Sequence, residues 1–497
     1  MQFIRYNHSR HGSRSATMMD MKSQKNANGW TARLLACLLM LLHGTAFATE
    51  PGGSLPTCTT APGVCIDNLE ALSIESLRDR AYDSTLKPLK KIDYRRSQHT
   101  YIMAYDSDGL ALYGRLDFPS SASPGAGFPV VVLAPGWISR KQAVDWDFGL
   151  DGKSTYSSII DDFVAAGYAV ITVGYRGRGT VEGIRAQGMA YRDAWGNGSY
   201  VSPLFYAIDT LNLLAGLDSL ANVRWKQWLP MAGIKPVFNL ERVSLWGHSQ
   251  GGDVGLTALA IAGRNPGFPQ PIFAASIWSG NIADRFAQVD TFEAMATTTQ
   301  AFMSGDGSWT GTAKGRDGTI NPDFVFPWPA DWIGTLDTGS DEWTWQADQW
   351  STASVFDARQ RKYREMYNAF NRYVPNLSDA YFTIRRDYDG STLLQHPPRV
   401  SKAIPTLGGW HYANYVDAPL SLHISDRDYY SLPAWNHDLA RRINQSGGKA
   451  RVYVYAGNTH SLRVSKYGWF SPPGTEPGAP LATARDTQLF RNATHPD

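Results

Sequence analysis

The segment RVSLWGHSQGG, residues 242–252, constrains this chain more than any other stretch. It sets a G-x-S-x-G pentapeptide, Gly247-His248-Ser249-Gln250-Gly251, between an apolar strand run, Val243 to Trp246, and a helical pattern. That helix is expected to begin near Gly252 and to reach about Ala262. The pentapeptide alone is a weak signal. A strand before it and a helix after it are the context of a sharp turn that presents a serine at the end of a buried sheet. Such a serine sits in a strained backbone geometry, and only small neighbours let strand and helix approach so closely. The competing reading, a Gly-rich turn with an idle serine, leaves that context unused.

The sheet that this turn requires is legible along the chain. PVVVLAPGW (129–137), YAVITVGY (168–175), PIFAASIWSG (271–280), APLSLHISD (418–426) and ARVYVYAG (450–457) are near-continuous apolar runs. Helical patterns alternate with them, which predicts a mostly parallel central sheet covered by helices on both faces, an α/β fold. Ahead of it, HTYIMAYDSDGLALYGRLDFP (99–119) carries β-rich runs on either side of Asp108-Gly109, a hairpin signal. The acidic residues of that turn lack the rest of a calcium loop. Residues 96–280 and 418–497 are therefore read as two parts of one core, the second ending in a C-terminal tail. Residues 281–417 break the rhythm and hold Trp309, Trp328, Trp332, Trp343, Trp345, Trp350 and Trp410. They are read as a large inserted cap.

A serine hydroxyl needs a general base to attack at neutral pH. On this architecture a carboxylate and then a histidine follow the serine in chain order, in loops after the strands' C-terminal ends. His460, just after RVYVYAG, fits as the base. HISDRDYY offers two acids to orient it. Asp428 is favoured because the strand should be spent by Ser425; Asp426 is the alternative. Two backbone N–H donors are needed for the developing oxyanion, and Gln250 and Trp137 are the candidates. Trp137 could also pack its ring in the core and still supply its backbone. This chemistry calls for no metal and no organic cofactor.

The N-terminus reads as an export signal. Leu34 to Leu42 is an apolar run of nine residues, too short for a span of ~20 but suited to a signal core. Basic residues precede it and Ala46-Phe47-Ala48 follows, so residues 1–48 are expected to be removed; Met21 offers a more economical start. In residues 49–95, an expected N-terminal arm, Cys58 and Cys65 would close a small disulfide loop in an oxidising compartment. No second long apolar run exists, so the mature chain is not expected to span a membrane. Lys+Arg 47 against Asp+Glu 45 gives a net charge of +2, which speaks against a dedicated nucleic-acid binder.

Taken together, GHSQGG, LAPGW, GYRGRG (174–179), SDRDYY and GNTH resemble the α/β-hydrolases, and within them the prolyl-oligopeptidase-like serine hydrolases. The resemblance covers about residues 97–280 and 418–470. It implies a serine esterase or peptidase acting through an acyl-enzyme on Ser249, with a small molecule or a peptide as substrate. Two features depart from the pattern. After removal of residues 1–48, fewer than ~80 residues precede the hairpin, too few for the four or more blades of a β-propeller. Pro135 stands where many members have His. Two other readings use the same residues: a non-catalytic hydrolase-fold binding protein, and an acyltransferase with the same triad.

Overall fold

The computed structural model describes residues 63–138, 140–150, 155–196, 200–229, 235–290, 335–337, 342–344, 353–386, 392–425, 428, 431–455, 460–462 and 478–495. Nine strands form one sheet: β1 (Lys87–Ile92), β2 (Gln98–Ser107), β3 (Leu110–Pro119), β4 (Phe128–Ala134), β5 (Ala169–Val173), β6 (Phe238–His248), β7 (Ala274–Trp278), β8 (Leu420–Ser425) and β9 (Ala450–Tyr455). Their spatial order is β1-β2-β3-β5-β4-β6-β7-β8-β9. The first three and the β3–β5 pair are antiparallel, and every pair from β5 to β9 is parallel. The expected hairpin lies between β2 and β3, where Asp108 and Gly109 both take positive φ, as a two-residue turn between twisted strands requires.

The apolar runs are continuous because both faces of the parallel strands are buried. On β4, Val130, Val132 and Ala134 join one core cluster, while Val131 and Leu133 join the other. β6 divides likewise, with Val243 and Leu245 on one face and Trp246 on the other. Helices α2 (Ser202–Ala215) and α3 (Gln250–Ala262) cover the first face. Helices α1 (Thr155–Ala165) and α6 (Gly478–Asn492) cover the second, through Ile159, Ile160 and Phe163 and through Ala482, Leu489 and Phe490.

Three parts of the chain do more than the sequence indicates. The N-terminal segment is built into the core: Leu69, Leu72, Ile74 and Leu77 are buried in the main cluster, and β1 adds an edge strand to the sheet. The C-terminal tail holds helix α6. Trp278 Nε1–H of β7 donates to Asp486 Oδ2 at 2.7 Å, and Asp486 Oδ1 pairs with His423 Nε2 of β8 at 2.9 Å, so α6 is tied to two strands. Between β7 and β8, helix α4 (Ala353–Tyr373) turns Tyr363, Met366, Tyr367 and Phe370 into the main core at i, i+3, i+4, i+7 spacing. Of the seven tryptophans between residues 281 and 417, Trp410 alone has a described side chain. It is buried, with the Arg442 guanidinium of helix α5 (Pro433–Gln445) 4.1 Å over its ring. The expected aromatic lining of the cap otherwise lies outside the described residues.

Candidate active site

Strand β6 ends at His248 and α3 begins at Gln250, so Ser249 alone makes the turn. The helix starts two residues earlier than the sequence suggests. Ser249 has φ 56° and ψ −123°, a sparsely populated region for a residue with a side chain. The surroundings fix it there. Its N–H donates to Trp278 O at 3.0 Å, and its carbonyl accepts from Gly252 N at 2.9 Å and Asn281 N at 3.1 Å. Gly251 cannot carry a side chain, because a Cβ there would lie 2.0 Å from Ala134 O. This is the close approach of strand and helix that the pentapeptide implies.

Asp428 follows β8, its N–H donating to Ser425 O at 3.2 Å, so the strand is spent at Ser425 as expected. The Asp428 side chain is fully buried. Its oxygens lie 3.0 and 2.9 Å from His460 Nδ1, and Oδ1 also accepts Ser431 N–H at 3.1 Å. A buried carboxylate with such partners fixes the imidazole by its Nδ1–H and leaves Nε2 as the acceptor. His460 and Ser249 border the same cleft, of about 420 Å³, together with Gly136, Trp137, Tyr156, His248 and Gln250. The alternative acid, Asp426, lies outside the described residues, as does Cys58. Cys65 packs against the main core.

The turn after β4 holds the other expected donor. Gly136 N–H is already engaged, donating to Tyr156 Oη at 2.8 Å. Trp137 N–H makes no hydrogen bond among the described residues, and the Trp137 ring is 57% exposed at the cleft rather than packed in the core. Arg178, buried in the GYRGRG turn, donates through Nη1 to Gly136 O at 3.0 Å and through Nη2 to Gln250 Oε1 at 2.9 Å. It sits 4.7 Å from the ring centres of Tyr175 and Tyr206. One guanidinium thus spans the two segments that carry the Trp137 and Gln250 amides.

A second connection runs from this turn to His460, and sequence reasoning missed it. Tyr156 Oη, having accepted Gly136 N–H, lies 2.9 Å from His248 Nδ1. Burial pushes the Tyr156 phenol up to about 12, so it stays protonated and donates to Nδ1. The His248 proton is then on Nε2, which donates to the backbone carbonyl of His460 at 3.1 Å. Burial, and then the neighbouring His460, push the His248 imidazole down to about 3, so it remains neutral beside His460, ring centres 5.0 Å apart. Only the adjacency of His248 to Ser249 hints at this in the sequence, and Tyr156 is not signalled at all. Among the described residues no group of three or more His, Cys, Asp or Glu side chains is arranged to hold a metal ion.

No protein-family model and no curated protein matches the sequence. Among solved structures, the chain is similar to the acetyl xylan esterase from Paenibacillus sp. R4, at 14% identity over 84% of this chain and 91% of that one, TM-score 0.41. It is similar to the dipeptidyl peptidase 4 of Porphyromonas gingivalis at 13% identity over 80% of this chain and 36% of that one, TM-score 0.40. It is also similar to the acylaminoacyl peptidase of Pyrococcus horikoshii at 14% identity over 82% and 41%, TM-score 0.37. At such identities these likenesses concern the fold alone. The strand order, the helices on both faces and the serine turn between β6 and α3 make this chain an α/β-hydrolase-fold protein.

Proposed function

We propose that the protein is a serine hydrolase that cleaves an ester or amide through an acyl-enzyme on Ser249. The observation that carries this reading is the Asp428–His460 pair, hydrogen-bonded at 2.9–3.0 Å over a cleft that Ser249 shares. His460 Nε2 takes the Ser249 hydroxyl proton as Oγ attacks the scissile carbonyl. Asp428 keeps the Nδ1 proton in place and stabilises the imidazolium that forms. Trp137 N–H and Gln250 N–H receive the negative charge on the carbonyl oxygen. His460 then protonates the leaving alcohol or amine. Water, activated by the same imidazole, releases the acyl group and restores Ser249.

The motifs resemble those of the prolyl-oligopeptidase-like group, which suggests small molecules or peptides as substrates. The test is a matched aryl ester and aryl amide of one acyl group, assayed with wild type and Ser249→Ala. Serine-dependent cleavage of the ester alone identifies an esterase, and serine-dependent amide cleavage identifies a peptidase or amidase. Turnover that survives Ser249→Ala refutes the reading. The apolar run before Ala46-Phe47-Ala48 supports export, with a Cys58–Cys65 disulfide in the mature chain. N-terminal sequencing of exported protein and non-reducing mass spectrometry test both. Among the described residues no helix is long and apolar enough to cross a membrane.

A further inference from the structure

The cleft has two unlike ends. At its rim Trp137 is 57% exposed. Its floor is made by Gln250, Asp253, Asn281 and Gln288, all more than nine-tenths buried. Three of the four floor residues are tied down. Asp253 is held by the Arg285 guanidinium through both nitrogens, Nη2 to Oδ1 at 2.9 Å, so its charge is neutralised within the protein. Gln288 Nε2 donates to the carbonyls of Asn281 and Ala283, each at 2.8 Å. Gln250 Oε1 receives Arg178.

Asn281 differs. Its backbone is fixed, N–H to Ser249 O and C=O to Gln288, but its side-chain oxygen is buried without a hydrogen-bond partner among the described residues, and the residue is only 8% exposed where it lines the cleft. A buried amide oxygen left unpaired is destabilising, and among the described residues Asn281 is the one residue with such a side-chain atom that lines the cleft. Asn281 lines the cleft, so a turn of its carboxamide would bring the oxygen within reach of a ligand that donates a hydrogen bond and removes that penalty. The leaving group must depart first and toward solvent, past the rim. The enclosed floor is therefore the place of the acyl group, which stays on Ser249 until water removes it.

We infer that Asn281 is a specificity-determining residue whose carboxamide accepts a hydrogen bond from the substrate's acyl part. The acyl groups that suit this floor are uncharged and carry a hydroxyl or an amide N–H close to the scissile carbonyl. Plain alkyl acyl groups of the same size leave Asn281 unpaired. A charged acyl group finds no free counter-charge on the floor, since Asp253 and Arg285 satisfy each other. The inference rests on the acyl-enzyme reading above and narrows its substrate class.

Two isosteric pairs of aryl esters test it: 3-hydroxybutanoyl against 3-methylbutanoyl, and N-acetylglycyl against 4-oxopentanoyl. Each pair exchanges one donor for a methyl or methylene group. The ratio of kcat/KM within each pair is measured for wild type, Asn281→Leu and Asn281→Asp, with Ser249→Ala as the blank. A wild-type preference of about tenfold or more for the donor-bearing acyl group is expected in at least one pair, falling to near the intrinsic reactivity ratio in Asn281→Leu and retained in Asn281→Asp. Wild-type ratios that match the uncatalysed hydrolysis ratios in both pairs overturn the inference, and so does a preference unchanged in Asn281→Leu. The wild-type ratios decide even where a variant does not fold. Serine-dependent turnover without the preference refutes the role of Asn281 and leaves the hydrolase standing. No turnover of any of the four esters overturns both.

Discussion

Replacing His248 by phenylalanine asks whether the Tyr156–His248 chain holds His460 in place. The ring volume is nearly kept, but two hydrogen bonds go. The His460 carbonyl loses its donor at 3.1 Å and the Tyr156 hydroxyl loses its acceptor at 2.9 Å. Each group stranded in a buried site costs about 1–3 kcal/mol, so the folded state should lose about 2–6 kcal/mol, toward the lower figure where cleft water substitutes. The share that appears in catalysis is the displacement of the His460 loop. Misplacement of a reacting group by about 1 Å costs up to about 100-fold, so kcat should fall about 10- to 100-fold with KM changed far less. Tyr156→Phe breaks the same chain one link earlier and also strands Gly136 N–H. Because both residues act through one path, the double variant should lose little more kcat than the worse single one, a strong departure from additivity. The assay is steady-state hydrolysis of an aryl ester alongside thermal melts of all four proteins. A folded His248→Phe enzyme with wild-type kcat refutes the reasoning, as do additive losses in the double variant.

Arg178→Lys should lower kcat by about 10- to 100-fold with little change in KM, because a single ammonium cannot replace a fork that reaches Gly136 O and Gln250 Oε1 together; wild-type kcat would refute it. Ser249→Gly should abolish turnover and raise Tm by a few degrees, since φ 56° with ψ −123° is open to glycine and strained for serine by about 1 kcal/mol; a lower Tm would show that the turn stores no strain. Stability should fall on acidification below about pH 6.5. Burial lowers His248 and His396 to about 3, so the unfolded chain takes up these protons first, and the stability they confer is complete above pH 6.5 and drains as pH falls toward 3. Each contributes a slope of up to about 1.4 kcal/mol per pH unit. His396→Gln, which can keep an acceptor for the Tyr367 hydroxyl, should flatten the decline of Tm between pH 6.5 and 5, and an unchanged slope would refute the assignment.

What was legible in the sequence follows from how local each signal is. The parallel strands announce themselves because both faces are buried, so Val130 to Ala134 needs no alternation to be read as a strand. The serine turn is marked locally as well, since Gly247, Ser249 and Gly251 fall within five residues between a strand run and a helical pattern. Asp428 could be favoured because the end of β8 at Ser425 is set by the apolar run itself. Strand β1, KPLKKI, was hidden for the opposite reason. An edge strand carries lysines and a proline, which blunt its free side and erase the apolar pattern. Helix α6 was hidden because what docks it is remote: Asp486 meets Trp278 and His423, 208 and 63 residues away. The same distance hides the parts of the site that tune it. Tyr156 reaches His248 across 92 residues, and Arg178 reaches Gln250 across 72. Residues that react are thus marked by motif, whereas residues that position them are marked only by the fold. The Asn281 carboxamide belongs to neither group, since no partner among the described residues claims its oxygen. Other buried side-chain polar atoms among the described residues also lack a partner, but of these Asn281 is the one that lines the cleft beside Ser249, where what enters the cleft can pair with it.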